Sequence, residues 1–199
     1  VLRCFSFKSG KELWRRWYYV DLKRNHGYSR TIPAVTDKYL VAIGPRSHVM
    51  CLNPLNGNLL WKIDLERDYG IPGKEKGRIT PDFYTGQCPL IDKDVAVIAP
   101  GGKALMIGVD CATGKVIWKT PNPDSLRMSH GSIMPMFLYG KRMYVYNAVG
   151  GVCGVSAEGE DLGKLMWTTT DWSPATTAAS PVFLGNNEIA VFGSYGAGG

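Results

Sequence analysis

Four residues carry side chains suited to holding a ligand and occupy comparable places in the chain: His26, Arg30, Gln87 and His130. They lie in short polar segments, Asn25-His26-Gly27-Tyr28-Ser29-Arg30-Thr31, Tyr84-Thr85-Gly86-Gln87 and Ser129-His130-Gly131-Ser132, and a fourth such segment is Ala175-Thr176-Thr177. Each runs into an apolar pair led by a proline, Pro33, Pro89, Pro135 or Pro181. A guanidinium, a carboxamide and two imidazoles suit an anionic or sugar-like ligand, because they offer charge-assisted donors together with neutral hydrogen-bonding edges. The competing use of the same side chains is to satisfy main-chain groups beside buried strands. No nucleophile and base, no carboxylate pair and no phosphate-binding glycine loop can be read from spacing. Five cysteines, Cys4, Cys51, Cys88, Cys111 and Cys153, are widely spaced, with no CxxC pair and no His/Cys cluster at metal-ligand spacing. The reading assigns no catalytic residue and no metal ligand, and it expects free thiols.

The elements that must position these loops announce themselves as a repeat. Cys4 to Trp14 (CFSFKSGKELW), Cys51 to Trp61 (CLNPLNGNLLW), Gly108 to Trp118 (GVDCATGKVIW) and Gly154 to Trp167 (GVSAEGEDLGKLMW) share one grammar. A strand-like run meets a polar turn, and Gly10, Gly57, Gly114 and Gly163 each stand four residues before a tryptophan. Glycine there predicts a left-handed turn residue inside a hairpin. The tryptophans step by 47, 57 and 49 residues, and the prolines by 56, 46 and 46. A proline at the first residue of a strand gives up an amide hydrogen that the ladder does not yet need. Each proline is therefore read as opening a unit and each Gly-x-x-x-Trp as closing one.

Between these marks, short runs of apolar and β-branched residues give four strands per unit, the signature of a β-propeller blade. The expected fold is all-β: a propeller of four-stranded antiparallel blades, three whole and two half, in one domain over 1–199. The divisions are a half blade over 1–30, blades over 31–85, 86–130 and 131–174, and a half blade over 175–199. The long polar stretch 64–85 accounts for the larger step and has room for a helical turn around Glu66 to Tyr69. The chain starts at Val1 without a methionine and reads as an excerpt of a longer protein, whose halves close a ring, pair with a second copy or leave an open arc.

Composition is that of a globular chain: 199 residues, 45% apolar and 20% charged. No apolar run reaches the length of a membrane span. The net charge of +6 resides in residues 1–30, where eight cations face two anions, and the rest is neutral. Lysine and arginine on an exposed edge strand protect it from aggregation, and that reading is preferred to polyanion binding. No signature of specific nucleic-acid recognition accompanies the charge.

The motif A-x-D-x-x-T-G-K-x-x-W, met here at Gly108, Asp110, Thr113, Gly114, Lys115 and Trp118, resembles the tryptophan-docking motif of quinoprotein-type propellers. That superfamily includes pyrroloquinoline quinone (PQQ) dehydrogenases and BamB-like outer-membrane assembly lipoproteins. The runs NHGYSRTIPAV and GPRSHVMCLNPLNG are similar to secreted PQQ-like repeat proteins. WD40 repeats would show a Trp-Asp pair, and a sialidase-type Asp box would place its glycine nearer the tryptophan. The resemblance implies that Trp14, Trp61, Trp118 and Trp167 pack between blades, and that the protein is periplasmic or secreted. In the dehydrogenases it would also bring PQQ between a tryptophan and an adjacent-cysteine disulfide, with calcium, and this sequence has no Cys-Cys pair. The expectation is a non-catalytic binding or scaffold module without cofactor, offering a propeller face to a protein or small ligand, with self-association as a way to complete the ring. The alternative is a fragment of a PQQ- and calcium-dependent dehydrogenase whose cofactor ligands lie elsewhere.

Overall fold

A computed structural model describes residues 1–22, 30–71 and 78–199. Its strands fall into five consecutive antiparallel sheets. The first is the hairpin β1 (Leu2–Phe5) and β2 (Glu12–Arg16). Three four-stranded sheets follow: β3 (Ala34–Val35) to β6 (Leu59–Asp64) by way of β4 (Leu40–Ile43) and β5 (His48–Leu52); then β7 (Leu90–Asp92), β8 (Val95–Ile98), β9 (Met106–Asp110) and β10 (Val116–Thr120); then β11 (Met134–Leu138), β12 (Lys141–Ala148), β13 (Gly151–Ser156) and β14 (Leu165–Thr169). A last hairpin pairs β15 (Val182–Gly185) with β16 (Glu188–Ala190). Among the described residues these make three whole propeller blades and two halves, and no sheet closes on itself. The helical turn foreseen near Glu66 is α1 (Leu65–Tyr69), capped by the Asp64 carboxylate, which accepts from Arg67 N at 3.2 Å.

The core lies between the sheets. One buried cluster joins β1–β2 to the next sheet around Trp14 and Leu40. A second spans β3–β6 and β7–β10 around Ile43, Trp61 and Ile107. A third spans β7–β10 and β11–β14 around Met106 and Tyr146, and a fourth joins β11–β14 to the last hairpin. Blade packing on blade is thus the main hydrophobic term, as in any array whose units bury their faces only against neighbours.

The repeat glycines make these joints possible. Gly57, Gly114 and Gly163 have φ of +69°, +73° and +82°. A methyl group at 57 would lie 2.6 Å from Trp14 Cε3, at 114 it would lie 2.7 Å from Trp61 Cγ, and at 163 it would lie 2.8 Å from Trp118 Cδ2. Trp14, Trp61 and Trp118 therefore each cover the turn glycine of the following blade. The pose of each repeat tryptophan depends on the residue across the ladder. Trp14 and Trp61 stand opposite Cys4 and Cys51, and their Nε1 atoms donate to Pro54 O at 2.9 Å and Cys111 O at 2.8 Å. Trp118 and Trp167 stand opposite Gly108 and Gly154, where a Cβ would collide with the indole, so these rings lie flat over their own blade. Trp118 then stacks on Tyr144 of the next sheet, with ring centroids 6.1 Å apart and planes at 15°.

The proline mark needs one correction. Pro33, Pro89 and Pro181 immediately precede β3, β7 and β15, but Pro135 is the second residue of β11, opposite Tyr144. β11 is the edge of its sheet, so an imide there costs no ladder bond.

Candidate functional site: the mouth formed by the loops before the first strands

The loops entering β3, β7, β11 and β15 are tied to one another by one repeated hydrogen bond. Ile32 N donates to Cys88 Sγ at 3.2 Å, Cys88 N to Ser132 Oγ at 3.0 Å, and Ser132 N to Ser180 Oγ at 2.9 Å. These bonds place Ile32, Cys88, Ser132 and Ser180 at equivalent positions. Two residues earlier stand Arg30, Gly86, His130 and Ala178, and these four line one cleft of about 560 Å³ together with Phe83, Thr176, Ser194 and Tyr195. Sequence reasoning located the loops but did not foresee this relay. The signal available was a small hydrogen-bonding side chain, Cys88, Ser132 or Ser180, at one fixed place in three of the four loops.

Of the four predicted ligand-binding residues, the structure brings Arg30 and His130 together in the cleft. His26 lies outside the described residues. Gln87 is fully buried beneath the loops. Its Nε2 donates to Ala99 O at 3.1 Å and Tyr146 Oη at 3.0 Å, and its Oε1 accepts from Ala99 N at 2.9 Å. Those three bonds use the amide to complete the open end of β8, so Gln87 presents nothing to the cleft. The loop hydroxyls behave likewise. Thr85, Ser129 and Thr177 are fully buried: Thr85 pairs with Ser47 Oγ at 2.7 Å, Ser129 donates to Asn147 O at 2.6 Å, and Thr177 donates to Phe192 O at 2.7 Å. Tyr146, at the centre of this network, has its phenol pushed up to about 12 by burial, against the hydrogen bonds from Ser129 and Gln87.

The electrostatics of the mouth come from two groups. Arg30 is exposed, and among the described residues it takes part in no ion pair. His130 is partly buried, its N–H donating to Thr177 O at 3.0 Å and its side chain lying against Gly86. Its pKa is lowered, first by burial and then by the Arg30 charge, with Asp82 acting in the opposite direction. The imidazole is therefore neutral at pH 7, and its buried Nδ1 has no hydrogen-bond partner among the described residues. A smaller cleft of about 280 Å³ shares His130 and Thr176, and there Arg78 is neutralised by Asp82 at 2.6 Å. The aromatic walls are exposed, Phe83 by 46% and Tyr195 by 85%. The mouth is cationic, open and rimmed by aromatic rings.

This donor set does not suit the quinone and calcium pair. Calcium takes six to eight oxygen ligands with carboxylates among them, whereas the charged group lining the mouth is a guanidinium. Trp14, Trp61 and Trp118 lie against the turn glycine of the next blade, and none of the four repeat tryptophans lines the mouth.

Consecutive four-stranded antiparallel blades, joined by tryptophan-over-glycine contacts and with loops gathered at one end, define a β-propeller of the PQQ-like repeat class. Residues 1–86 and 46–198 match the family model described as outer membrane protein assembly factor BamB, and the chain belongs to that family. In structure it is similar to BamB from Moraxella catarrhalis, with 16% identity and a TM-score of 0.62 over 96% of this chain and 51% of that one. It is similar also to the computationally designed Ika8 protein, with 12% identity and a TM-score of 0.55 over 96% of this chain and 52% of that one. A europium-containing methanol dehydrogenase aligns with 11% identity and a TM-score of 0.55 over 88% of this chain and 40% of that one. At such identities the likeness is one of fold. The chain spans about half the length of the BamB structure it matches, and no curated protein matches it by sequence. Among the described residues, no helix is long and apolar enough to cross a membrane.

Proposed function

We propose that this chain is a non-catalytic propeller module, exported like the assembly factors of its family, and that it binds a protein partner at the loop mouth. The observation that carries the reading is Arg30, a guanidinium without an ion-pair partner among the described residues, which lines one cleft with His130 and the exposed rings of Phe83 and Tyr195. A guanidinium flanked by aromatic rings accepts a carboxylate in its fork while the rings cover the rest of an inserted side chain. The matching partner is an acidic segment of a protein. Family membership supports both the scaffold role and the export. No cofactor enters the reading.

Linkage supplies a test. Burial chiefly holds the His130 pKa down and the Arg30 charge adds to it; a carboxylate seated on Arg30 offsets that second part, so the complex retains a proton that the free protein releases. Affinity for the acidic segment therefore rises as pH falls from neutrality through the free protein's His130 pKa. An imidazole titration of the full chain by NMR, with and without a hexaglutamate peptide, reads this directly. The expected outcome is an upward displacement of the His130 curve by the peptide. Identical curves at saturating peptide would overturn the reading.

A further inference from the structure

We propose that Cys51 and Cys111 are a disulfide-forming pair that staples the β3–β6 blade to the β7–β10 blade beside the Trp61 contact. Cys51 is on β5, Cys111 is in the turn after β9, and both are fully buried in one core cluster. The Cys51 thiol donates to Cys111 O at 3.6 Å, and the same carbonyl accepts Trp61 Nε1 at 2.8 Å. Trp61 thus fixes the Cys111 main chain over the Cys51 thiol, and both cysteines are free in the structure. A disulfide demands Cα atoms about 4.4–6.8 Å apart, a separation that thiol-to-main-chain contact brings within reach.

The other three cysteines have different surroundings. Cys4, equivalent to Cys51 in the first hairpin, has its tryptophan bonded to Pro54, so no second thiol stands across that joint. Cys153 donates to Tyr146 O within its own sheet, and Cys88 accepts Ile32 N in the loop relay. Among the described residues, this joint alone has one cysteine's thiol donating to another cysteine.

The chemistry closes with a disulfide oxidant such as glutathione disulfide. The Cys51 thiol donates to the Cys111 carbonyl and is buried, and both effects hold its proton and raise its pKa. Cys111 is therefore the attacking thiolate. Its sulfur bonds to one glutathione sulfur and expels the other glutathione as a thiolate. Cys51, on losing its proton, attacks the Cys111 sulfur of the mixed disulfide and expels the second glutathione. Two protein thiols lose two protons and two electrons, and one glutathione disulfide becomes two glutathiones. Because both sulfurs are buried, exchange proceeds when the joint opens, during folding or local unfolding.

The test uses the full chain refolded from urea in a glutathione redox buffer, with free thiols then alkylated under denaturing conditions. The expected result is three alkylated cysteines out of the five in the sequence, a peptide map joining 51 to 111, and a denaturation midpoint that falls on reduction. Cys51→Ala should leave four alkylated cysteines and a midpoint insensitive to reductant; Cys111→Ser serves equally where Cys51→Ala folds poorly. Five alkylated cysteines in the oxidised, refolded protein, or a cross-link joining any other pair, would overturn the proposal.

Discussion

Replacing Gly114 with alanine tests whether the tryptophan-over-glycine contact fastens one blade to the next. Two costs add at this position. The first is conformational: φ is +73°, and a residue with a Cβ pays about 1 kcal/mol or more to adopt it. The second is steric. The new methyl would lie 2.7 Å from Trp61 Cγ, 2.9 Å from Trp61 Cβ and 3.1 Å from Cδ1, so the anchored side of the indole must shift. Trp61 is buried, and its Nε1 is held by Cys111 O. Forcing atoms into such a joint costs about 1–3 kcal/mol. Gly10 and Gly140 have φ of +68° and +72°, and a methyl group on either would meet nothing within 4 Å, so alanine there incurs only the first cost. Urea denaturation followed by tryptophan fluorescence should therefore rank Gly114→Ala about 1–3 kcal/mol below Gly10→Ala and Gly140→Ala at a common slope. Equal midpoints for all three variants would refute the contact as a fastening.

Further outcomes follow from the same contacts. Gly108→Ala places a methyl into the Trp118 ring; it should displace the Trp118–Tyr144 stack, seen as a change in near-ultraviolet circular dichroism, and cost at least about 1 kcal/mol in urea denaturation. Gln87→Leu keeps the volume but removes the partners of Ala99 N and O, and each buried group left unpaired costs about 1–3 kcal/mol in urea denaturation. Asp92 accepts from Arg142 at 2.5 Å and from Tyr144 Oη at 2.6 Å. Burial raises its pKa, but those two hydrogen bonds with the Arg142 charge outweigh it, and the net shift is downward. A depressed carboxylate contributes stability that is complete above its unfolded pKa and lost as pH falls through its folded pKa. Wild type and Asp92→Asn should thus differ in thermal midpoint at pH 7 and converge in acid.

Much of the fold could be read along the chain because it is written in local terms. Short apolar runs such as Val95 to Ile98 and the glycine four residues before each tryptophan depend only on neighbours in sequence. The short helix was legible too, as a turn around Glu66 to Tyr69 within the long polar stretch 64–85. What was not legible depends on contacts across blades. Gln87 reads as a ligand-binding residue because its loop is polar, yet the open end of β8 is its partner. Pro135 resembles the other three prolines, yet the longer β11 carries it inside the strand. The two tryptophan poses were recoverable in principle, because Cys4 and Cys51 occupy the places held by Gly108 and Gly154. Reading that difference requires knowing that these residues stand across the ladder from the rings. The Cys51–Cys111 contact joins residues 60 positions apart and left no local trace.

The central claim is that the mouth around Arg30 receives an acidic segment. Fluorescence anisotropy of a labelled hexaglutamate peptide against the full chain, against Arg30→Ala, and against a control with Arg3 and Arg15 replaced by alanine tests it most directly. The control matters because residues 1–30 carry the whole net charge of +6, and a diffuse cationic surface would bind the same peptide. The account predicts that Arg30→Ala weakens binding at least about tenfold, the loss of one charge-assisted contact of about 1.5–3 kcal/mol, with an unchanged thermal midpoint, while the control binds like wild type. Equal affinities for wild type and Arg30→Ala, or a loss confined to the control, would contradict it.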